Sequence, residues 1–320
     1  MGGGSLLCTG APGVGKTHWC KQLVKDLRAQ GLTVVVIAKT HLAVQNFGEA
    51  VTADHWVRKQ PRRGHCSCDV LVVEEISQIS TYLWNDIGKC LHVGCRFVLL
   101  GDFKQLDAVC DTWAGCPVPQ GALERSDLLY ELCGGVRMEL TENMRSDAVL
   151  FDFYTGLWKD GVVFEQALLE GRALFPLKRV PVRVARFSLT ISHAARQAVN
   201  RACNLREKRE HEAVFLKGPE PFWTWPGQQL VGAGGLCRKG IFYTIASIDE
   251  HVVLESGERL TRETAGKSLR LCHALTYASV QGLTLPGTVR LLETEHNHFT
   301  KQHLYIGSSR ATNHELLEIS

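Results

Sequence analysis

The chain has 320 residues, of which 45% are apolar and 22% charged, so it has the composition of a globular protein with room for two or three domains. It contains no apolar run near the ~20 residues of a membrane span and no basic segment of a signal peptide, so we expect a soluble, intracellular protein without a membrane partner. The nucleus, the cytoplasm and a virus-associated location all stay open. A formal charge of +3 permits a nucleic-acid partner but does not argue for one.

The first 145 residues alternate short apolar strands with helices. Strands are predicted within residues 5–10, 32–40, 69–75 and 95–102, and helices over residues 16–31, 41–50 and 80–91. Residues 58–68 are predicted to be a loop that carries the four basic residues Arg58, Lys59, Arg62 and Arg63. Continuous valine and leucine runs between helices predict an α/β fold with a parallel sheet covered on both faces.

After Arg145 the pattern restarts with a helix over residues 151–161, a strand over 182–190 and a basic helix over 192–210. Short strands with glycine turns then predict a small β-rich insert, and strand and helix signals return towards the end of the chain. We therefore expect a first domain over residues 1–145, a second over 146–211 and 267–320, and the insert over 212–266.

The segment "GAPGVGKT" fits the phosphate-binding pattern G-x-x-x-x-G-K-[ST] between a strand and a helix. Its glycines let backbone N–H groups surround phosphate oxygens at the positive end of the following helix. Lys16 is expected to reach the β- and γ-phosphates, and Thr17 is expected to bind Mg²⁺. The predicted site for ATP or another NTP comprises Gly10, Ala11, Pro12, Gly13, Val14, Gly15, Lys16, Thr17 and His18.

Two acids, Glu74 and Glu75, end the apolar run "DVLVVEE", where a P-loop protein holds its metal and activates water. We expect Glu74 to hold Mg²⁺ and Glu75 to act as the base. The next strand ends in "LLGDFKQL", where Gln105 is expected to contact the γ-phosphate or the attacking water and Asp102 to hold the loop or meet the metal. The alternatives are solvated acids at a strand end and an ordinary Gly-Asp turn.

Twelve cysteines leave two interpretations open. His65, Cys66 and Cys68 in "HCSC" are ligand types for zinc, but they lack CxxC spacing and an obvious second pair. Scattered reduced thiols of an intracellular protein are the favoured interpretation.

Six segments occur in one order along the chain: "GAPGVGKT", "VVEEISQI", "LLGDFKQL", "LTENMRSD", "LTYASVQGLTL" and "LYIGSSRAT". Together they resemble the ordered series of sequence motifs of superfamily 1 helicases, closest to the Pif1/RecD-like branch. The resemblance implies two RecA-like domains that bind ATP between them, with an SH3-like insert in the second. It also implies that Arg145 and Arg310 contact the γ-phosphate and that Gly282 belongs to the nucleotide site.

The same resemblance implies a set of nucleic-acid contacts. "AKTHLAVQNF" and "TADHW" match segments that contact the strand, and "TYASVQGLTL" would couple the nucleotide state to it. The implied contact residues are Lys39, Thr40, His41, His55, Trp56, Thr276, Gln281 and Thr284. Trp223 and Trp225 are either stacking platforms for bases or, the favoured interpretation, local packing.

The sequence departs from the family pattern at several positions. Only nine residues precede Gly10, so the family's upstream glutamine segment, which reads adenine, is not matched and the base specificity stays open. Ala278 and Ser279 replace a His-Lys pair, Asp107 replaces a proline, and Glu74 replaces an aspartate.

The resemblance favours an ATP-dependent helicase or translocase, acting as a monomer on single-stranded nucleic acid. DNA is favoured over RNA, and the implied polarity is 5′→3′. Two alternatives stay open: an RNA helicase of the viral superfamily 1 type, and a nucleotide-regulated nucleic-acid-binding module that unwinds nothing.

Overall fold

The computed structural model describes residues 4–178 and 186–320, and the chain divides into two compact units, one ending at Asp160 and the other beginning at Gly161. Residues 182–185, which open one predicted strand, lie outside the described residues. Among the residues that are described, no helix is both long and apolar enough to cross a membrane.

The first unit is built on a six-stranded sheet in the order β3-β2-β4-β5-β1-β8 in which every neighbouring pair is parallel. A separate antiparallel pair, β6 and β7, follows β5. The strands are β1 Leu6–Gly10, β2 Val34–Ala38, β3 Val51–Thr52, β4 Val70–Glu74, β5 Arg96–Gly101, β6 Thr112–Trp113, β7 Cys116–Pro117 and β8 Arg137–Leu140. Because the main sheet is parallel, the carboxyl ends of its strands share one edge, where open α/β sheets bind their ligands.

Helices cover both faces of this sheet. They are α1 Lys16–Ala29, α2 His41–Phe47, α3 Ala53–Lys59, α4 Thr81–Gly88, α5 Asp127–Leu132 and α6 Ala148–Gly156. Alternate residues of β4 enter two different cores, Leu71 and Val73 on one face and Val70 and Val72 on the other. The prediction of a parallel sheet buried on both faces is therefore confirmed. The predicted loop over 58–68 was wrong at its start, since Arg58 and Lys59 end α3.

The second unit contains a four-stranded parallel sheet and an antiparallel region. The parallel sheet has the order β17-β9-β18-β19. Its strands are β9 Phe187–Thr190, β17 Ala274–Thr276, β18 Val289–Leu291 and β19 Leu317–Ile319. The helices of this unit are α7 Phe164–Leu174, α8 His193–Glu207, α9 Arg262–Ser268 and α10 Lys301–Ser308.

The antiparallel region lies between α8 and β17 in the chain. It consists of the pair β10–β11 and a five-stranded sheet in the order β15-β14-β13-β12-β16. Its strands are β10 Val214–Leu216, β11 Phe222–Thr224, β12 Gln229–Gly232, β13 Phe242–Ile248, β14 His251–Leu254, β15 Arg259–Thr261 and β16 Leu269–Leu271. The β-rich character is as predicted, and β16 extends the region beyond residue 266.

Candidate active site

The phosphate-binding segment is the turn between β1 and α1. Its backbone curls because Gly13 and Gly15 adopt φ angles of +88° and +82°, which side chains with a Cβ rarely take. Helix α1 begins at Lys16, so its first N–H groups face the inside of the turn. Tyr154 in α6 donates its hydroxyl to Pro12 O over 2.8 Å and so supports the turn from outside. Tyr154 went unnoticed in the sequence because nothing in its spacing links it to a segment 142 residues away.

Side chains of the segment meet the acidic strand end. Lys16 Nζ donates to Gly10 O over 2.7 Å and to Ala11 O over 3.0 Å, so its ammonium lies over the turn. Thr17 Oγ1 donates to Glu74 Oε1 over 2.6 Å. His18, also a predicted site residue, is exposed in the first turn of α1. The two predicted Mg²⁺ ligands, Thr17 and Glu74, are thus in direct contact.

The carboxyl group of Glu74 is buried, with 4% of the residue exposed. Burial, with a smaller contribution from the charge of Glu75, raises the pKa of Glu74 to about 7, although the Thr17 hydroxyl and Lys16 lower it. A cation at this position would lower that pKa further and hold the carboxylate ionised.

Glu75 stands directly after β4 with a φ of +54°. For a residue with a Cβ, this left-handed conformation costs roughly 1–2 kcal/mol. Such strained residues cluster at functional sites, where the surrounding structure enforces them. Its side chain is partly exposed, whereas that of Glu74 is buried, so the two adjacent acids have different environments.

The predicted third motif follows β5. Gln105 Nε2 donates to Asp102 Oδ2 over 3.3 Å, and both residues are buried. Asp102 Oδ1 also accepts from the Lys104 backbone N–H over 3.0 Å, so the aspartate holds the turn in shape. This is the loop-holding role that the sequence offered for Asp102.

Arg145 lies against the phosphate-binding segment within the first unit. β8 is a parallel neighbour of β1, so the chain that leaves β8 runs beside the turn that leaves β1. Met144 N–H donates to Gly13 O over 2.9 Å. A Cβ added at Gly13 would lie 3.1 Å from Arg145 Cβ and 3.3 Å from its Nε. The arginine is therefore brought to the phosphate-binding turn by the sheet order, a relation that the sequence alone did not show.

Arg310 follows α10 in the second unit and is 1% exposed. Its guanidinium donates to Ile306 O over 3.0 Å, to Leu283 O over 2.9 Å and to Ser309 Oγ over 2.7 Å. It thereby ties the end of α10 to the segment "VQGLTL". Its predicted contact with a γ-phosphate stays a prediction.

The other predicted residues of the second unit lie in and just after β17. Thr276 ends β17 at the carboxyl edge of the parallel sheet, and the "VQGLTL" segment follows it. Gln281 is 4% exposed, Gly282 has a φ of +77° and Thr284 is exposed.

Predicted nucleic-acid contacts of the first unit follow β2 at the same sheet edge as the phosphate-binding segment. Lys39 Nζ forms an ion pair with Asp54 over 2.9 Å, which holds α3 near the end of β2. Thr40 Oγ1 accepts from the Ala43 backbone N–H and caps α2. His41 and His55 are exposed.

Trp56 requires a correction. It is 5% exposed and packs in the core that contains Leu71 and Trp84. A base needs an open ring face for stacking, and the ring of Trp56 has none, so its placement argues against a direct contact. Trp225 is also buried, stacked on His211 with 4.7 Å between ring centroids, which agrees with local packing. Trp223 is partly buried, with Lys208 Nζ 3.3 Å from its ring centroid.

Comparisons with known proteins agree with this geometry. The family model described as "AAA domain" matches residues 2–115. No curated protein sequence matches the chain. Among solved structures, Pif1 helicase from Candida albicans is 19% identical and superposes with a TM-score of 0.70 over 99% of this chain and 90% of that one.

Two Bacteroides structures are similar to a comparable degree. Pif1 bound to single-stranded DNA is 16% identical, with a TM-score of 0.68 over 99% of this chain and 88% of that one. Pif1 in complex with ADP-AlF3 and single-stranded DNA is 17% identical, with a TM-score of 0.67 over the same shares. The chain therefore has the fold of the Pif1 helicases, and the predicted fold class of two RecA-like domains is confirmed.

Proposed function

We propose that this chain, which has the Pif1 helicase fold, is an NTP-hydrolysing helicase or translocase on single-stranded nucleic acid, with DNA as the favoured polymer. One observation carries the proposal: Thr17 of the phosphate-binding segment and Glu74 of the acidic strand are joined by a hydrogen bond of 2.6 Å. Mg-dependent phosphoryl transfer requires a phosphate-binding turn and a carboxylate that holds the metal, and this hydrogen bond joins the two.

The residues present suit a magnesium–nucleotide complex. Thr17 Oγ1 and Glu74 Oε1 are hard oxygen ligands of the kind that Mg²⁺ prefers, and the positive φ angles of Gly13 and Gly15 give the turn the curl that a phosphate cradle needs. When bound, Mg²⁺ neutralises charge on the β- and γ-phosphates. We propose that Glu74 serves in place of the aspartate of the family pattern, its longer side chain reaching Thr17.

The remaining residues of the first unit divide the chemistry between them. Lys16 offers a cation to the phosphates, and Glu75 is the proposed base that takes a proton from water. Gln105, fixed by Asp102, orients that water or the γ-phosphate. We propose that Arg145, which lies beside Gly13, stabilises charge on the transferring group. We propose Arg310 and Gly282 as further contacts from the second unit.

The nucleic-acid part of the proposal is supported by polar residues near the carboxyl ends of β2 and β17, of which His41, His55 and Thr284 are exposed, and by the similar Bacteroides Pif1 structure bound to single-stranded DNA. We propose Lys39, Thr40, His41 and His55 as contacts in the first unit. In the second unit we propose Thr276, Gln281 and Thr284, with the β-rich insert over residues 212–266 holding the strand.

The test is steady-state NTPase activity measured without polymer, with single-stranded DNA and with single-stranded RNA. Stimulation by DNA supports the proposal, and stimulation by RNA alone would replace DNA with RNA as the substrate. Hydrolysis that neither polymer stimulates would leave a nucleotide-regulated binding module. Strand displacement on 5′-tailed and 3′-tailed duplexes then decides the proposed 5′→3′ polarity.

A further inference from the structure

Four cysteines of the first unit come together at the amino-terminal ends of two neighbouring strands. Cys66 and Cys68 precede β4, Cys90 lies in the 3₁₀ turn after α4, and Cys95 immediately precedes β5. β4 and β5 are parallel neighbours in which Val70 is opposite Arg96, so their amino-terminal ends share one edge. The sheet thus brings together cysteines that are far apart in sequence, since Cys95 comes 27 positions after Cys68.

The sulfur atoms of three of these cysteines lie close enough together to be ligands of one metal ion. Cys68 Sγ lies 3.8 Å from Cys66 Sγ and 3.8 Å from Cys95 Sγ, and these three ligand atoms all lie within 4.8 Å of one another. Cys90 lies beside Cys66 but outside this group of three, and it is the fourth cysteine of the cluster. Four thiolates held about 2.3 Å from one Zn²⁺ at tetrahedral angles stand about 3.8 Å apart.

Burial raises the pKa of the Cys66 and Cys90 thiols, and a bound zinc ion would offset this by stabilising the thiolates. Cys68, Cys90 and Cys95 are buried at the margin of the core that includes Trp84. The backbone N–H of Cys68 donates to Cys66 Sγ, and that of Leu71 donates to Cys95 Sγ. Such N–H donors disperse negative charge on coordinating sulfur and orient the ligand. All four cysteines are free, and across residues 4–178 and 186–320 no other group of histidine, cysteine or acidic ligands comes as close together.

We propose that Cys66, Cys68, Cys90 and Cys95 bind one zinc ion in a closed tetrathiolate site. Four thiolates leave no open coordination position, so the ion is structural and not catalytic. It joins the amino-terminal ends of β4 and β5, and the extended chain from Cys68 to Glu74 puts it about 20 Å from the acidic pair. The site would hold in register the two strands whose opposite ends carry Glu74 and Asp102.

The first measurement is the metal content of the full chain, purified with a phosphine reductant and without chelators and analysed by inductively coupled plasma mass spectrometry. We expect about one zinc per chain. Cobalt exchanged for zinc should give the intense visible bands of tetrahedral cobalt with thiolate ligands. Neither readout depends on NTPase activity, so failure of the zinc site and failure of the proposed enzyme are distinguishable.

Single Cys→Ser variants at the four positions should lower the zinc content and abolish the cobalt bands. Cys133→Ser is the matched control, because Cys133 is buried in the same core but lies outside the group. Cys203→Ser is a second control in the other unit. Both controls should keep one zinc. Variants that fail to fold do not decide the matter, because the metal content of the unaltered chain tests the site by itself.

Three results would overturn the proposal. The first is an unaltered chain that holds well under one zinc although it is folded. The second is a folded Cys68→Ser or Cys95→Ser variant that keeps its full zinc content and its cobalt spectrum. The third is a disulfide between two of the four cysteines, detected by mass spectrometry of the chain purified without reductant.

Discussion

Replacing Glu74 with aspartate should slow hydrolysis, because this structure uses the extra methylene of glutamate. Thr17 Oγ1 and Glu74 Oε1 are 2.6 Å apart. Removing one carbon–carbon bond of about 1.5 Å takes the acceptor to about 4 Å, which is beyond a hydrogen bond. Glu74 is only 4% exposed, so water does not readily replace the lost partner.

The expected size of the effect follows from that lost contact. An unsatisfied buried polar group costs about 1–3 kcal/mol, which corresponds to a roughly 5- to 150-fold fall in turnover if the contact persists in the transition state. The assay is NTPase turnover at saturating nucleotide, Mg²⁺ and single-stranded DNA. Glu139→Asp is the control, since Glu139 is exposed on β8 and should tolerate the same shortening.

A Glu74→Asp variant that turns over as fast as the unaltered chain, or faster, would refute this reasoning. It would mean that the Thr17–Glu74 hydrogen bond does not contribute to hydrolysis, and that the natural glutamate lowers the turnover of a site better suited to aspartate.

Three further predictions concern buried residues. Trp56→Ala should lower the free energy of unfolding by about 3–5 kcal/mol because it empties a core position, whereas the control His55→Ala should change it by no more than about 0.5 kcal/mol. Chemical denaturation measures both values, and equal effects of the two variants would contradict the core placement of Trp56. Arg310→Ala should destabilise the second unit, because four buried acceptors lose this donor, and should lower turnover by roughly 10³ if Arg310 also contacts the γ-phosphate. Unchanged stability in chemical denaturation would show that these hydrogen bonds are unimportant. Glu74 has a pKa of about 7 in the folded chain against 4.5 for a free carboxyl, so its protonation stabilises the fold below pH 4.5, and this contribution is lost as the pH rises through 7. Without nucleotide, the free energy of unfolding of Glu74→Gln should therefore fall less than that of the unaltered chain over this pH range. Parallel pH profiles of the two chains in chemical denaturation would contradict the raised pKa.

Much of the first unit was predictable because its chemistry demands particular residues at particular points. A phosphate turn needs glycines between a strand and a helix, and Gly13 and Gly15 take the positive φ angles that the motif implies. A parallel sheet brings strand ends to one edge, which is why Glu74 could be placed near Thr17 from sequence order alone.

The residues that were missed or misplaced depend on neighbours distant in the chain. Trp56 lies in a seven-residue helix whose buried face cannot be identified without its partners Leu71 and Trp84. Cys66 and Cys68 lacked an obvious second pair in the sequence because the nearby cysteines come from the 3₁₀ turn after α4 (Cys90) and from the position just before β5 (Cys95). Both segments were predicted as strands of a parallel sheet, and the structure adds that they are neighbours, so a cysteine just before each strand was the available signal.

The most direct test of the proposed enzyme compares the unaltered chain with Lys16→Ala for NTP hydrolysis with and without single-stranded DNA. Lys16 Nζ lies over the phosphate turn and supplies its cation, so the unaltered chain should hydrolyse NTP with stimulation by DNA and the variant should not hydrolyse it. Hydrolysis by Lys16→Ala at the rate of the unaltered chain, or an unaltered chain that no single strand stimulates, would contradict the proposal.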